Sequence, residues 1–182
     1  MKPMSQVFPG RYTATASEPF VVFLVGMRVN RFAAFRKWWP VASAMGPMMA
    51  TLQQHPEKGL LGSESFFRVW PLETCMVSYW RSFDDLIRFA RDRNAPHLRP
   101  WQNFMKNVGN DGSVGIWHET YRVNPEQFEC IYGNMPAFGL GDAFAHIPIA
   151  EKTQRATERM GAIATNAPHL KSGSLPERSG AK

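Results

Sequence analysis

Long apolar runs are missing from this chain. The longest, Phe20 to Met27, has eight residues, far short of the ~20 that a bilayer-spanning helix needs. The amino-terminal Met1-Lys2-Pro3-Met4-Ser5-Gln6 lacks the apolar centre of a signal peptide. The expectation is a soluble, cytoplasmic protein with no membrane partner. Cysteine is scarce too: Cys75 and Cys130 are the only two, with no second thiol nearby to chelate a metal. A disulfide between them is left open, and buried free thiols in a reducing compartment are the simpler reading. Basic runs are absent. The formal net charge is +6, but residues 151–182 carry six Lys/Arg against three Asp/Glu, and so account for half of it. The first 150 residues are close to balanced and show no interleaved basic and aromatic signature, so nucleic acid is not expected as a partner. No Walker loop, GxGxxG after a strand, GxSxG or zincin motif occurs.

What the chain does have is large, polarizable side chains. Of 182 residues, 44% are hydrophobic and 13% aromatic, with thirteen Phe, six Trp and ten Met. That supply suits either a wide apolar cavity or a tightly filled small core. Residues 1–19, rich in Pro, Ser, Thr and Gly, read as an irregular lead-in. Residues 20–145 read as one domain, and 146–182 as a polar helix with a flexible tail. Phe20–Met27 is a buried strand by length and β-branching. Asn30 can cap a helix with apolar positions Phe32, Phe35, Trp39, Ala42, Met45, Met49 and Leu52, and Pro40 should kink or split it. Strands over 60–70 and 74–80 follow, then a helix capped by Ser82 with Asp85 three residues on. Asn94-Ala95-Pro96 breaks that helix, and a turn or short helix restarts at His97. Strands over 114–123 and 128–134 complete the pattern.

The order is β-α-β-β-α-β plus one extra strand, the split βαβ or ferredoxin-like α+β arrangement with both helices on one face of an antiparallel sheet. In the strand over 114–123, one face carries Val114, Ile116, His118 and Thr120, the other Gly115, Trp117, Glu119 and Tyr121. Neither face is suited to water, so the second face of the sheet needs cover. A homodimer with two sheets packed face to face would supply it.

Two histidines, 21 residues apart, are the candidates for chemistry. His118 sits between Trp117 and Glu119 on what reads as a buried core strand, and imidazole gives and takes protons near neutral pH. It can be an acid–base group, or a structural residue hydrogen-bonded across the sheet. Alternation puts Glu119 on the opposite face, against a direct dyad. His97 lies at a helix break where a side chain can enter a cavity, either as a ligand or as a helix cap. HxxxH and HxH spacings are absent, so a metal site would need the fold to assemble it. A haem asks only for one axial imidazole and an apolar cavity. Arg81, Arg99 and Arg122 are possible anchors for a carboxylate or propionate, or solvated residues as an Arg at a strand end usually is. Tyr79, Tyr121 and Tyr132 are candidate polar groups in an aromatic cavity, equally at home as core tyrosines, and Asn134 is a candidate donor to a bound oxygen species. His55, His146 and His169 have no assigned role.

Residues 20–134 resemble the dimeric α+β-barrel superfamily, which includes antibiotic-biosynthesis monooxygenases and several haem proteins. More narrowly, Tyr79-Trp80-Arg81-Ser82-Phe83-Asp84-Asp85-Leu86, His97-Leu98 and Gly115-Ile116-Trp117-His118-Glu119-Thr120-Tyr121 resemble an uncharacterised monooxygenase-like family. Ile131-Tyr132-Gly133-Asn134-Met135-Pro136 and Gly139-Leu140 continue that match. The helix–His–strand–His layout is also similar to haem-dependent aldoxime dehydratases, in which a histidine after a YxRSLxxLxxWA-like helix ligates the haem and one in a WHE strand is the distal acid–base group. By position, the resemblance implies His97 as ligand of a haem b iron and His118 as the catalytic distal residue. Those enzymes carry two barrel units, whereas this chain has one, so their dehydratase activity does not transfer. The expected function is a haem-binding monooxygenase acting on a hydrophobic small molecule. The alternatives are a cofactor-independent monooxygenase, an aldoxime dehydratase-like lyase, or a non-enzymatic haem- or ligand-binding protein.

Overall fold

A computed structural model of the chain describes residues 6–92, 102, 106 and 108–165. Its principal layer is a four-stranded antiparallel sheet in the order β3-β4-β2-β5, built from β2 (Phe20–Val29), β3 (Leu60–Arg68), β4 (Glu73–Trp80) and β5 (Val114–Val123). Helix α1 (Phe35–Gln54) follows β2, and α2 (Phe83–Arg91) follows β4. With strands counted from β2, this is the ferredoxin-like order 2-3-1-4, with each neighbouring pair antiparallel.

Pairing registers show why both helices share one face. Val21, Phe23, Val25, Met27 and Val29 stand opposite Arg122, Thr120, His118, Ile116 and Val114, and strand alternation points all of them to the same side. On α1, Trp38, Val41, Ala42, Met48, Met49 and Leu52 recur at helical spacing and pack onto that side. On α2, Leu86 and Phe89 are buried with Trp80, Leu52 and Val21. Each such large side chain contributes about 1.5–3 kcal/mol by leaving water.

Local signals account for most boundaries. The Ser82 hydroxyl accepts from the Asp85 N–H at 3.1 Å, and acidic Asp84 and Asp85 lie in the first turn of α2, basic Arg88 and Arg91 in the last. The cap expected at Asn30 and the split expected at Pro40 are corrected. The Asn30 side chain donates to the Gly112 carbonyl at 3.1 Å and is thereby committed to the loop before β5, so α1 starts at Phe35 with Ala34 as an uncapping flank. Helix α1 also runs unbroken through Pro40 and Pro47. Both prolines are on its exposed side, where water can satisfy the carbonyls they leave unpaired.

The amino-terminal expectation is corrected as well. Residues 8–15 are not irregular: Phe8–Thr15 is strand β1, the centre of a second sheet ordered β6-β1-β7, with β6 at Tyr132–Met135 and β7 at Ala145–Pro148. Three strands therefore add to the main unit where the sequence suggested one. A short helix α3 (Leu140–Ala143) precedes β7. This second layer covers one end of the main sheet's other face, where Phe20 packs on Phe128 and Phe144 at centroid distances of 5.3 and 4.7 Å. Residues 146–148 thus belong to a sheet. A final helix, α4 (Ala156–Thr165), is fastened by buried Arg159, whose Nε donates to Glu129 at 2.6 Å. The expected tail beyond residue 165 lies outside the described residues.

Candidate functional site

Between the main sheet and its two helices lies a cavity of about 560 Å³. Phe23, Val25, Met27, Met76, Ile116, His118 and Thr120 line its sheet side; α1 contributes Val41, Ala42, Met48 and Leu52, and α2 contributes Phe83, Leu86, Ile87 and Ala90. The volume falls in the range of small-molecule and cofactor sites. No Asp, Glu, Lys or Arg lines it among the described residues. Its polar groups are the hydroxyls of Ser65, Thr74 and Thr120 and the imidazole of His118.

His118 is placed there by the β2–β5 register. It stands opposite Val25, with its ring 5.8 Å from that of Phe23 and inclined at 41°. Its place on a buried core strand is corrected: β5 is an edge strand, and His118 and Thr120 are exposed. The imidazole is therefore reachable by a ligand entering the cavity. Glu119 points to the opposite side, where its carboxylate accepts from the Tyr121 hydroxyl at 2.6 Å, so the absence of a His118–Glu119 dyad agrees with the alternation of the strand.

His97, Arg99 and His169 lie outside the described residues, so the pairing of His97 with His118 has no geometric test. Arg122 is not a lining residue, but its guanidinium carbon is 4.4 Å from the ring centroid of Phe83, which is. Arg81 is committed elsewhere: its Nε donates to Asp85 at 2.9 Å. Of the two tyrosine readings, the cavity one does not hold among the described lining residues. Tyr79 and Tyr121 flank Val22 in register, on the face away from His118, and Tyr132 belongs to the second sheet. Burial, with the Glu64 charge second, pushes the Tyr79 phenol up, and burial does the same for Tyr132, so both stay neutral donors. Asn134 lies within β6 with φ of 54°, at the irregularity in its pairing with β1, and its side chain accepts from the Gly10 N–H at 2.9 Å. It belongs to the second sheet and is not among the residues lining the cavity.

Of the remaining nonligand groups, both cysteines are free. Burial, reinforced by Glu119, pushes the Cys75 thiol up, which keeps it protonated and poorly nucleophilic. His55 is exposed and bonded to Glu57 at 2.8 Å. Tyr12 stacks on His146 at 4.6 Å, whose Nε2 is buried with no hydrogen-bond partner among the described residues. No group of three or more His, Cys, Asp or Glu gathers to hold a metal ion among the described residues. Ser65, Thr74 and Thr120 are site hydroxyls to which sequence reasoning assigned no role. For Thr120 the available signal was its place on the same alternation set as His118.

A cavity of this kind can hold an uncharged organic molecule against one proton-transferring imidazole. No curated protein matches the sequence. Among solved structures, the aldoxime dehydratase OxdRE in complex with butyraldoxime is similar at 16% identity and a TM-score of 0.60, over 76% of this chain and 42% of that one. A second aldoxime dehydratase is similar at 19% identity and a TM-score of 0.51, over 87% of this chain and 45% of the other. This chain thus spans less than half the length of either. SnoaB, a cofactor-independent oxygenase from Streptomyces nogalater, is similar at 12% identity and a TM-score of 0.40, over 58% of this chain and 93% of that one. A family model for monooxygenase af470-like proteins matches residues 20–140. That span holds the four-stranded sheet, both helices and the described cavity lining, and through it the chain belongs to the monooxygenase af470-like family.

Proposed function

We propose that this chain is a monooxygenase that oxidises a hydrophobic small molecule in the cavity between sheet and helices, with His118 as its proton-transferring residue and haem b, ligated by His97, as its cofactor. One observation carries the reading: a single imidazole faces a cavity otherwise lined by apolar and hydroxyl side chains. Such walls select an apolar ligand by the area they remove from water, and leave one group able to give or take a proton.

The described residues fit a haem in two respects. The cavity is large and apolar, and Arg122, stacked on the lining residue Phe83, would be the cation for a propionate that reaches past that ring. When bound, the haem would supply the redox chemistry of oxygen activation. This chain's residues do the rest. The walls from α1 and α2 exclude water around the ligand, Thr120 offers a hydroxyl next to the imidazole along β5, and His118 holds or releases a proton at a ring nitrogen. Protein purified from haem-supplemented cells should show a Soret band that His97→Ala weakens. His118→Ala should keep the band and lower turnover by about 10²- to 10⁴-fold. An unchanged spectrum in His97→Ala would overturn the ligand assignment.

A cofactor-independent monooxygenase is the second reading, favoured by the lack of Lys or Arg among the described lining residues. Oxygen uptake by haem-free protein, lost in His118→Ala, would select it. Conversion of an alkyl aldoxime to a nitrile would select a lyase instead, and tight ligand binding without turnover a binding protein. A homodimer is part of the proposal. The second layer leaves Phe66, Trp117 and Tyr121 exposed on the main sheet's other face, and a second copy would cover them.

A further inference from the structure

We propose that one end of the molecule, built from the start of α1 and the β3–β4 turn, docks on the surface of an anionic lipid bilayer. The proposal is independent of the chemistry assigned to the cavity. It departs from the expectation of no membrane partner, which rested on the lack of a spanning segment and does not address a surface-bound protein.

The end of β3 and the turn to β4 carry Phe67, Val69 and Trp70 at 76%, 75% and 80% exposure. Large apolar side chains this bare, adjacent in sequence, are unusual on a soluble surface. Arg28 pairs with Glu73 in the β2–β4 register, and the Val29 N–H donates to the Leu72 carbonyl at 2.9 Å, so the turn lies at the end of the sheet where β2 leaves for α1. There Trp38 is buried, with Phe32 and Phe35 at centroid distances of 5.6 and 4.8 Å. Phe35 also stacks on Trp39 at 5.4 Å. Trp38 anchors this cluster in the core while Phe32, Phe35 and Trp39 remain 60%, 50% and 53% exposed. Tryptophan settles at the headgroup level, and phenylalanine on an interfacial face is buried at the boundary of headgroups and acyl chains.

Charge at this end names the partner. Arg28 and Arg68 share Glu73, and Lys37 pairs with Asp111. Arg31 and Arg36 are exposed, with no ion pair among the described residues. Five cations against two carboxylates, set among bare aromatics, complement a surface that is negative outside and apolar beneath. Phe67 also lines the cavity, so the docked face adjoins its mouth.

Co-sedimentation with vesicles of phosphatidylcholine, alone or mixed with phosphatidylserine, tests this. The wild-type protein should pellet with the mixed vesicles, less with phosphatidylcholine alone, and less as salt is raised. Trp70→Ser should lower partitioning by about tenfold, and Arg31→Gln or Arg36→Gln by about fivefold each at low salt, with circular dichroism unchanged. Quenching of wild-type tryptophan fluorescence by brominated phosphatidylcholine in mixed vesicles gives a readout independent of any variant. Wild-type protein that stays in the supernatant and is not quenched overturns the proposal. So does a Trp70→Ser variant that binds vesicles normally but loses mass in solution, which would make this end a contact between copies.

Discussion

Asp85 shows how much one side chain organises. Its carboxylate accepts from Arg81 Nε at 2.9 Å, the Ser82 hydroxyl at 3.0 Å and Arg88 at 3.0 Å, and the residue is only 5% exposed. The Arg81 hydrogen bond first, then that of Ser82 and the two arginine charges, holds its carboxyl below the ordinary range against the opposing effect of burial. A carboxyl depressed in the folded state stabilises the fold fully above its ordinary pKa, and that stability is lost as pH falls through the depressed value. Asp85→Asn should cost about 2 kcal/mol at neutral pH. Urea denaturation should show the gap from wild type closing as the solution is acidified. A gap that is constant with pH would mean the charge is irrelevant. The Ser82–Asp85 relation was legible from spacing three residues apart. Gly59 was not: it has φ of 90°, and a Cβ there would lie 2.6 Å from the Asp85 carboxylate. That contact spans 26 positions and exists only after the turn before β3 folds back onto α2.

Among the elements, β5 was the easiest to read and β1 the hardest. The alternation of Val114 through Val123 marks both faces of β5, and its bounds in the structure are those expected. Its pairing with β2 adds a constraint that the alternation does not contain. Gly26 stands opposite Trp117, and a Cβ at Gly26 would come within 2.6 Å of the indole, so a residue without a side chain lets Trp117 lie across β2. Strand β1 carries Pro9 and Gly10, which locally argue for a loop. Its strand geometry comes from partners more than a hundred residues away, at Tyr132 and Ile147. Helix α4 depends on a similar distant tie. Arg159 donates to Glu129 and to the carbonyls of Thr153 and Gln154 at 3.1 and 2.8 Å. Arg159→Ala strands the Glu129 charge and should destabilise this region by about 3 kcal/mol. Hydrogen exchange should rise across α4 while the four-stranded sheet stays protected. Unchanged exchange in α4 would show that other contacts hold it.

At the scale of the whole molecule, the main sheet has one face filled by helices and the other only partly covered by the second sheet. Trp117 at 38%, Phe66 at 48% and Tyr121 at 51% exposure form the surface proposed to meet a second copy. Light scattering of the wild-type protein should return twice the chain mass of 20.6 kDa. Trp117→Lys, which places a charge in the proposed interface, should return the single-chain mass. A wild-type monomer would sink the dimer. The outcome bears on the cavity as well, since its sheet wall is the reverse side of this surface.

The sequence alone determined the order of the main elements, the cap of α2, the bounds of β5 and the face that carries His118. These follow from contacts a few residues apart and from the two-residue period of a strand, both of which are written locally. Tertiary structure decided the rest. Strand order put β5 at an edge and exposed His118, the second sheet recruited a segment that reads as loop, and Tyr79 and Tyr121 went to the sheet face turned away from the cavity, Asn134 to the second sheet. Each of these outcomes depends on which distant segment a strand pairs with. That choice is set by the summed burial of whole faces, and no single stretch of sequence contains it.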